Sequence, residues 1–286
     1  MNCVINFNKP ENVSSQQAVT RVKRLLAARK AGHAGTLDPV ASGVLLICLD
    51  EATKITRFLS DLDKEYIVRL KLGERTDTYD STGSVTEKRE YRFVRESDIR
   101  SSIQRFTGRT KQIPPLYSAI KVGGQRLYKL ARKGIKDIER PERVVSIYSI
   151  DLLFFGAPYV DLRVKCSKGT YIRSLCEDLG NALGTGAHMT SLKRTRIGTF
   201  GIEQSVSLDE FRNHADVCHS IDSAISHLPE IILDSESFNR AKKGLPLDFQ
   251  HGLHCNGYIR LKTPENVLLG IGRIEEGSLR IERLLN

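Results

Sequence analysis

Residues 64–73, KEYIVRLKLG, alternate: Tyr66, Val68, Leu70 and Leu72 share one face, the mark of a half-buried strand. VVSIYSIDLLFF (144–155) and YVDLRVKC (159–166) also read as strands; in the second, Leu162, Val164 and Cys166 alternate onto one side. VLLICL (44–49) is apolar throughout and reads as a buried strand or helical turn. Helical spacing appears at Ala18, Val19, Val22, Leu25 and Leu26, predicting a helix capped by Ser14 or Ser15 that runs to about Arg29. Further helices are expected over 51–61, over 97–106 with Ser97 as cap, and over 126–134, stopped by Gly134. Another spans Tyr171 to Leu183, with apolar Ile172, Leu175, Cys176, Leu179 and Leu183, Thr170 as cap and Gly184 as stop. Residues 75–83 and 107–125 read as turn and loop, broken by Pro114-Pro115 and Gly123-Gly124. From 229 the pattern is strand-like. Strands and helices mix without a regular βαβ alternation, which argues for an α+β fold.

Charge sharpens this picture because it is uneven. The 286 residues carry a net +10, yet 229–286 hold eight Lys/Arg and eight Asp/Glu, so the excess lies wholly in 1–228. Within that part, 105–143 hold 11 Lys/Arg against three Asp/Glu. Such a density attracts a polyanion and points to nucleic acid. Six scattered cysteines without a CxxC pair suit reduced thiols in a cytosol. No apolar run approaches membrane-spanning length, and no signal peptide is apparent at the N-terminus. No phosphate-binding glycine motif supports a nucleotide cofactor. His214, Cys218, His219, His251, His254 and Cys255 fit no standard zinc spacing, so no metal is expected.

One stretch stands apart. GHAGTLDPVASGVL (32–45) places a single carboxylate, Asp38, among Gly32, Gly35, Gly43 and small residues, with Pro39 holding it toward extended geometry. An Asp-Pro turn and a catalytic carboxylate are both compatible with that pattern. His33 alone beside it does not make a metal site. Arg173 falls in the first turn of a predicted helix, where a cation opposes the helix dipole unless an anion meets it.

These residues also carry a resemblance. GHAGTLDPVASGVLLICLDEATK, DKEYIVRLKLGERTDTYDSTG, PPLYSAIKVGGQRLYKLARKG, CSKGTYIRSLCEDLG and LKRTRIGTF, in that order, resemble the TruB family of tRNA pseudouridine synthases. The resemblance implies a pseudouridine synthase fold with a mixed, mainly antiparallel sheet and flanking helices over 1–228, followed by a small β-rich PUA-like domain over 229–286. It implies isomerisation of uridine to pseudouridine at position 55 in the T loop of tRNA, with no cofactor. Asp38 would be the essential carboxylate, Arg173 its partner, and Tyr66 the residue that stacks on the base and assists proton removal. His33 would occupy the space left by the flipped base, Tyr171 and Leu192 would line the uracil pocket, and the basic segment 111–134 would close on the T arm. A cytoplasmic monomer that binds the tRNA T stem-loop, with no membrane or protein partner, follows. The chain departs from the family in its N-terminal block, KPENVSSQQ, which lacks the usual glycine.

A single carboxylate suits that chemistry. The base leaves the sugar and returns, so water must be kept out, whereas glycoside hydrolysis uses two carboxylates and a water. Burial would raise the pKa of Asp38, and a guanidinium from Arg173 would offset it. The nucleotide must flip out, at a cost of about a few kcal/mol. Two alternatives remain open on the residues alone: an RNA-binding or tRNA-folding protein on the same scaffold, and a carboxylate-dependent nucleic-acid glycosylase.

Overall fold

The structure, a computed structural model, describes the chain apart from residues 136, 213–216, 244, 246, 249–255 and 286. The chain enters as β1 (Cys3–Lys9), forms α1 (Ser15–Leu25), and returns through β2 (Ala31–Ala34) to β3 (Ala41–Leu49). A 3-10 turn and α2 (Thr56–Ser60) lead to β4 (Lys64–Leu72), the small hairpin β5 (Glu74–Thr76) and β6 (Val85–Lys88), and α3 (Glu96–Arg105). Then come β7 (Gly108–Gln112), a second small hairpin β8 (Lys121–Val122) and β9 (Gln125–Arg126), and α4 (Leu127–Arg132). The long hairpin β10 (Arg143–Gly156) and β11 (Tyr159–Cys166) precedes α5 (Ile172–Ala182), β12 (Ala187–Ile197), β13 (Phe200–Gly201), β14 (Cys218–Ser220) and α6 (Ile221–Ala224).

One sheet runs β14-β1-β3-β12-β4-β11-β10-β7, with β2 on β3 and β13 on β12. Every pairing in it is antiparallel except β3 with β12. That is the mixed, mainly antiparallel sheet expected. The parallel step is tight: a Cβ on Gly43 (φ +103) would lie 2.2 Å from the Arg194 carbonyl oxygen, so only glycine fits there.

Sheet coverage explains the two apolar patterns. In β3, Val44, Leu46 and Cys48 pack on Ile55, Phe58 and Leu59, while Leu45, Ile47 and Leu49 pack on Val19 and Val22 of α1. With both faces covered, the strand is apolar throughout. In β4, only Tyr66, Val68, Leu70 and Leu72 are covered, by a cluster that includes Ile172, Leu175, Cys176 and Leu179 of α5 and Ile99 and Ile103 of α3. Its other face meets solvent at Arg69.

The second sheet follows the order β15-β17-β18-β19-β16, built from β15 (Glu230–Ile232), β16 (Leu247–Asp248), β17 (Gly257–Lys262), β18 (Leu268–Glu275) and β19 (Ser278–Leu284). It includes α7 (Ser235–Lys242), a helix absent from the strand-like reading; Asp234 caps it, accepting from Ser237 N at 2.8 Å. This sheet leans on the first. Tyr258 meets Phe58 edge-on at 4.9 Å, Arg57 lies over both rings, and Ile271 enters the α2 cluster. In and beside this sheet Arg260 and Lys262 pair with Asp222 and Glu230, and Arg273 with Glu275.

Several element ends differ from expectation. α1 stops at Leu25, four residues early, because Ala27 turns left-handed (φ 49) and Ala28 N bonds back to Lys23 O. Its cap is Ser14, in a capping box with Gln17. α3 begins at Glu96 rather than after Ser97; Asp98 reaches back to the Arg95 N–H at 2.8 Å. GRTKQ, read as loop, is the edge strand β7, held by backbone pairing to β10. Thr170 does not cap α5: its hydroxyl donates to Ser167 O.

Candidate active site

The Asp38 loop joins β2 to β3 and is fixed on both sides of the carboxylate. Ser15 Oγ, on the first residue of α1, accepts from Leu37 N and donates to Leu37 O, both at 2.8 Å. Asp38 O accepts from Ala41 N at 3.0 Å, and Pro39 O from Asn12 N at 2.7 Å. Lys9, wholly buried, donates to Pro10 O and Val13 O at 2.7 Å and reaches Pro39 O at 3.4 Å. Burial lowers its pKa to about 8, against the pull of Asp38. KPENVSSQQ lacks the glycine expected there, yet its Asn12 takes a left-handed backbone. It holds φ +61, a conformation that asparagine tolerates best after glycine. The backbone is thus locked while the Asp38 side chain stays 35% exposed, more open than the dry pocket expected.

Arg173 stands at the second position of α5 and is 6% exposed. Its Nε lies 2.9 Å from Asp38 Oδ2 and its Nη1 3.5 Å from Asp80 Oδ2. Nη1 also donates to Thr78 O at 3.1 Å and Nη2 to Tyr117 O at 3.0 Å. A cation placed against the helix dipole is therefore met by two carboxylates and two carbonyls. Sequence reasoning missed Asp80. It is buried, and its Oδ1 accepts from Thr82 N at 3.0 Å and from the Thr78 and Thr82 hydroxyls. The signal was an Asp between Thr and Ser/Thr neighbours in TDTYDSTG, which reads as an ordinary surface turn until Arg173 is placed against it.

Around this pair, Leu37, Tyr66 and Leu192 share one apolar cluster. Tyr66 is buried on β4 and faces Arg194 across the register; Leu192 on β12 faces Ala41 and Val68. Burial raises the pKa of Tyr66, and Arg194 opposes the rise. Tyr171 is half-buried. Its backbone is read in both directions by the buried Gln112 amide, which accepts from Tyr171 N at 3.0 Å and donates to Tyr171 O at 3.3 Å. Gln112, from the distant β7, thus fixes the backbone just before α5, which has no side-chain cap. His33 stands apart. It lies on β2 opposite Ile47, burial and then Arg194 lower its pKa, and among the described residues no hydrogen bond or ion pair ties it to Asp38.

The basic segment 111–134 begins against this site. Ser174 Oγ donates to Ile113 O, Arg173 holds Tyr117 O, and Ile120, Leu127 and Ala131 are buried. Lys121, Arg126, Lys129, Arg132 and Lys133 all face solvent. Among the described residues no cluster of His, Cys, Asp and Glu could hold a metal ion. Of the zinc candidates weighed above, His214, His251, His254 and Cys255 lie outside the described residues. Cys3, Cys48, Cys166, Cys176 and Cys218 are free thiols.

Comparison with known proteins follows the same lines. A family model described as TruB family pseudouridylate synthase (N terminal domain) matches residues 23–172. Models described as tRNA pseudouridylate synthase B C-terminal domain and pseudouridine synthase II TruB, C-terminal match 173–238 and 229–285. The chain is 42% identical over 290 residues to the tRNA pseudouridine synthase B of Clostridium tetani (strain Massachusetts / E88), covering all of both chains. It is 40% identical over 291 residues to that of Haemophilus influenzae (strain 86-028NP), covering 99% of this chain and 94% of the relative. Among solved structures, a Cbf5-Nop10-Gar1 complex contains a chain of 27% identity and TM-score 0.76, covering 99% of this chain and 85% of that one. A chain of an archaeal box H/ACA sRNP Nop10-Cbf5 complex matches at 26% identity and TM-score 0.73, covering 100% and 86%.

Proposed function

The chain belongs to the TruB family of pseudouridylate synthases, and on that premise we propose that Asp38 and its neighbours form the site at which it works. The protein isomerises uridine to pseudouridine in tRNA. The finer reading is that the target is position 55 in the T loop, gripped through the T stem-loop. Residues 1–228 are read as the catalytic part, with the 111–134 segment against the RNA, and 229–286 as a PUA-like part. We read the protein as a cytoplasmic monomer; among the described residues, no helix is long and apolar enough to cross a membrane.

In the reaction the C1′–N1 bond breaks and a C1′–C5 bond forms. C5 loses a proton and N1 gains one, so nothing is oxidised and no water is consumed. Asp38 is read as the base that takes a proton from the sugar at C2′. The base then leaves with the bonding pair as a uracil anion, and a glycal remains. Rotation presents C5 to C1′; C2′ recovers its proton and C5 surrenders its own. Arg173 orients the carboxylate, and Asp80 fixes Arg173. Tyr66 stacks on the base, Leu192 and Tyr171 wall its pocket, and His33 fills the gap in the loop that the base vacates. The five exposed cations meet phosphate, which offsets part of the cost of flipping.

The Asp38–Arg173–Asp80 arrangement carries this reading, because it holds one solvent-facing carboxylate ionically beside Tyr66. The test is to incubate the protein with unmodified tRNA and map pseudouridine by carbodiimide-stop sequencing. Wild type should modify one T-loop uridine. Asp38→Asn should bind tRNA and leave it unmodified. Activity of Asp38→Asn within about tenfold of wild type would overturn the assignment. Release of free uracil would favour a glycosylase.

A further inference from the structure

Cys3 and Cys218 stand 215 positions apart in the chain, yet their sulfurs lie 3.0 Å from each other. Strand register puts them there. β1 pairs with β14 so that Cys3 faces Ser220 and Ile5 faces Cys218. The two cysteines are therefore diagonal neighbours on one face of an antiparallel pair, where side chains reach one another. A disulfide needs about 2.05 Å between sulfurs, so roughly 1 Å of closure separates this contact from a bond. Cys218 Sγ also lies 3.4 Å from Met1 Sδ, and the N-terminal amine lies 2.8 Å from Asp50 Oδ2, which holds the chain in place just ahead of Cys3.

The two sulfurs differ in access. Cys3 is 5% exposed and packs with Ile5, Phe7 and Phe211. Burial first, and then its bond to Cys218, pushes its thiol up, so Cys3 holds its proton and donates it to Cys218 Sγ. Cys218 is half-buried and is the sulfur that solvent reaches. Cys48, Cys166 and Cys176 are wholly buried in the apolar clusters of the sheet. Buried thiols are inert, and oxidation selects the accessible sulfur. Among the described cysteines an oxidant therefore meets Cys218 first, with Cys3 directly behind it to resolve the product.

We propose that Cys3 and Cys218 are a site of reversible modification by peroxide: two thiols at rest, oxidised to a disulfide that staples β1 to β14. The Cys218 sulfur attacks one oxygen of hydrogen peroxide and the O–O bond breaks. Cys218 becomes a sulfenic acid, and the leaving hydroxide takes its thiol proton as water. The Cys3 sulfur then attacks the Cys218 sulfur, the S–O bond breaks, and the leaving hydroxide takes the Cys3 proton as a second water. The two thiols give up two electrons and two protons, and the peroxide is reduced to two waters. A small thiol reverses the bond by exchange. What the staple holds follows from what comes after β14, which runs directly into α6, whose Asp222 pairs with Arg260 and Lys262 of β17. The bond thus fastens the first strand to the segment that grips the second sheet. Lys9, the brace of the Asp38 loop, stands at the other end of β1, about 20 Å away, so the staple acts on the fold and not on the candidate site.

The test treats the folded full chain with hydrogen peroxide, then reads intact mass and maps unreduced peptides. Wild type should lose about 2 Da, yield a cross-linked peptide joining Cys3 to Cys218, and return to its starting mass with dithiothreitol. Cys218→Ser should show no such loss. In Cys3→Ala, which lacks the resolving thiol, Cys218 should go on to the sulfinic acid, a gain of about 32 Da. Fully cross-linked wild type should melt about 4 °C or more above the reduced form, because the bond closes most of the chain into one loop. An unchanged mass, oxygen added at Met1 or Cys218 without a cross-link, a bond from Cys218 to Cys255 or to a second copy, or a cross-linked chain that melts no higher than the reduced one would each overturn the proposal. If Cys3→Ala fails to fold by circular dichroism, the wild-type cross-link and its absence from Cys218→Ser still decide.

Discussion

Ser15→Ala removes one oxygen atom from a place where two backbone groups depend on it. Ser15 and Leu37 are each 3% exposed, and the serine hydroxyl meets both the N–H and the C=O of Leu37. Without it, two buried polar groups lose their partner, at about 1–3 kcal/mol each. Alanine's better helix propensity returns about 0.5 kcal/mol at the start of α1. The net loss is about 1.5–5.5 kcal/mol, which for a chain of this size, at about 2 °C per kcal/mol, lowers the melting temperature by roughly 3–11 °C. Activity should suffer further, because Leu37 precedes Asp38 and a shift of about 1 Å in a reacting group costs about a hundredfold. The control is the neighbouring serine. Ser14→Ala removes the α1 cap, a bond to Gln17 N at 3.2 Å, and should cost about 1 kcal/mol with activity kept. Thermal unfolding and single-turnover pseudouridine formation, measured on both variants, decide the matter. A Ser15→Ala protein as stable and as fast as Ser14→Ala would refute the claim that this hydroxyl positions the catalytic loop.

Three further outcomes are expected. Asp80→Asn keeps the shape but removes one of the two charges on Arg173, so kcat should fall about tenfold or more with tRNA affinity within a few fold; steady-state kinetics beside a binding titration check it, and a loss wholly in affinity would contradict it. Lys9 holds its proton less tightly folded (about 8) than unfolded, so the folded state binds fewer protons between about pH 8 and 10.5, and the stability owed to Lys9 rises with pH across that window. Denaturant melts should therefore show wild type gaining on Lys9→Met by on the order of 1–3 kcal/mol from pH 8 to 10.5, and a flat difference would disprove it. Reversing Lys129, Arg132 and Lys133 to Glu should weaken tRNA binding and reduce the slope of log K against log salt by roughly two, and an unchanged slope would remove α4 from the RNA surface.

Much of this protein is local physics and was legible in its residues. The period of two in 64–72, the doubly covered run at 44–49, the amphipathic stretch behind Ser14 and the helix from Ile172 each follow from side-chain spacing that needs no distant partner. Asp38 stood out because small residues surround it, and Arg173 because a cation at a helix start demands an anion. What spacing could not reveal was identity of partners. β7 carries no apolar pattern, since an edge strand is held by backbone bonds that every residue can make. Asp80 looks like any turn carboxylate until α5 delivers Arg173 to it, and Gln112 like any polar residue until its amide binds the Tyr171 backbone just before α5. The neutral C-terminal segment conceals both its internal ion pairs and its grip on Phe58. Periodicity is written within a few residues of chain, whereas a buried ion pair or a shared hydroxyl is decided by which segments the closed sheet brings within about 3 Å of each other.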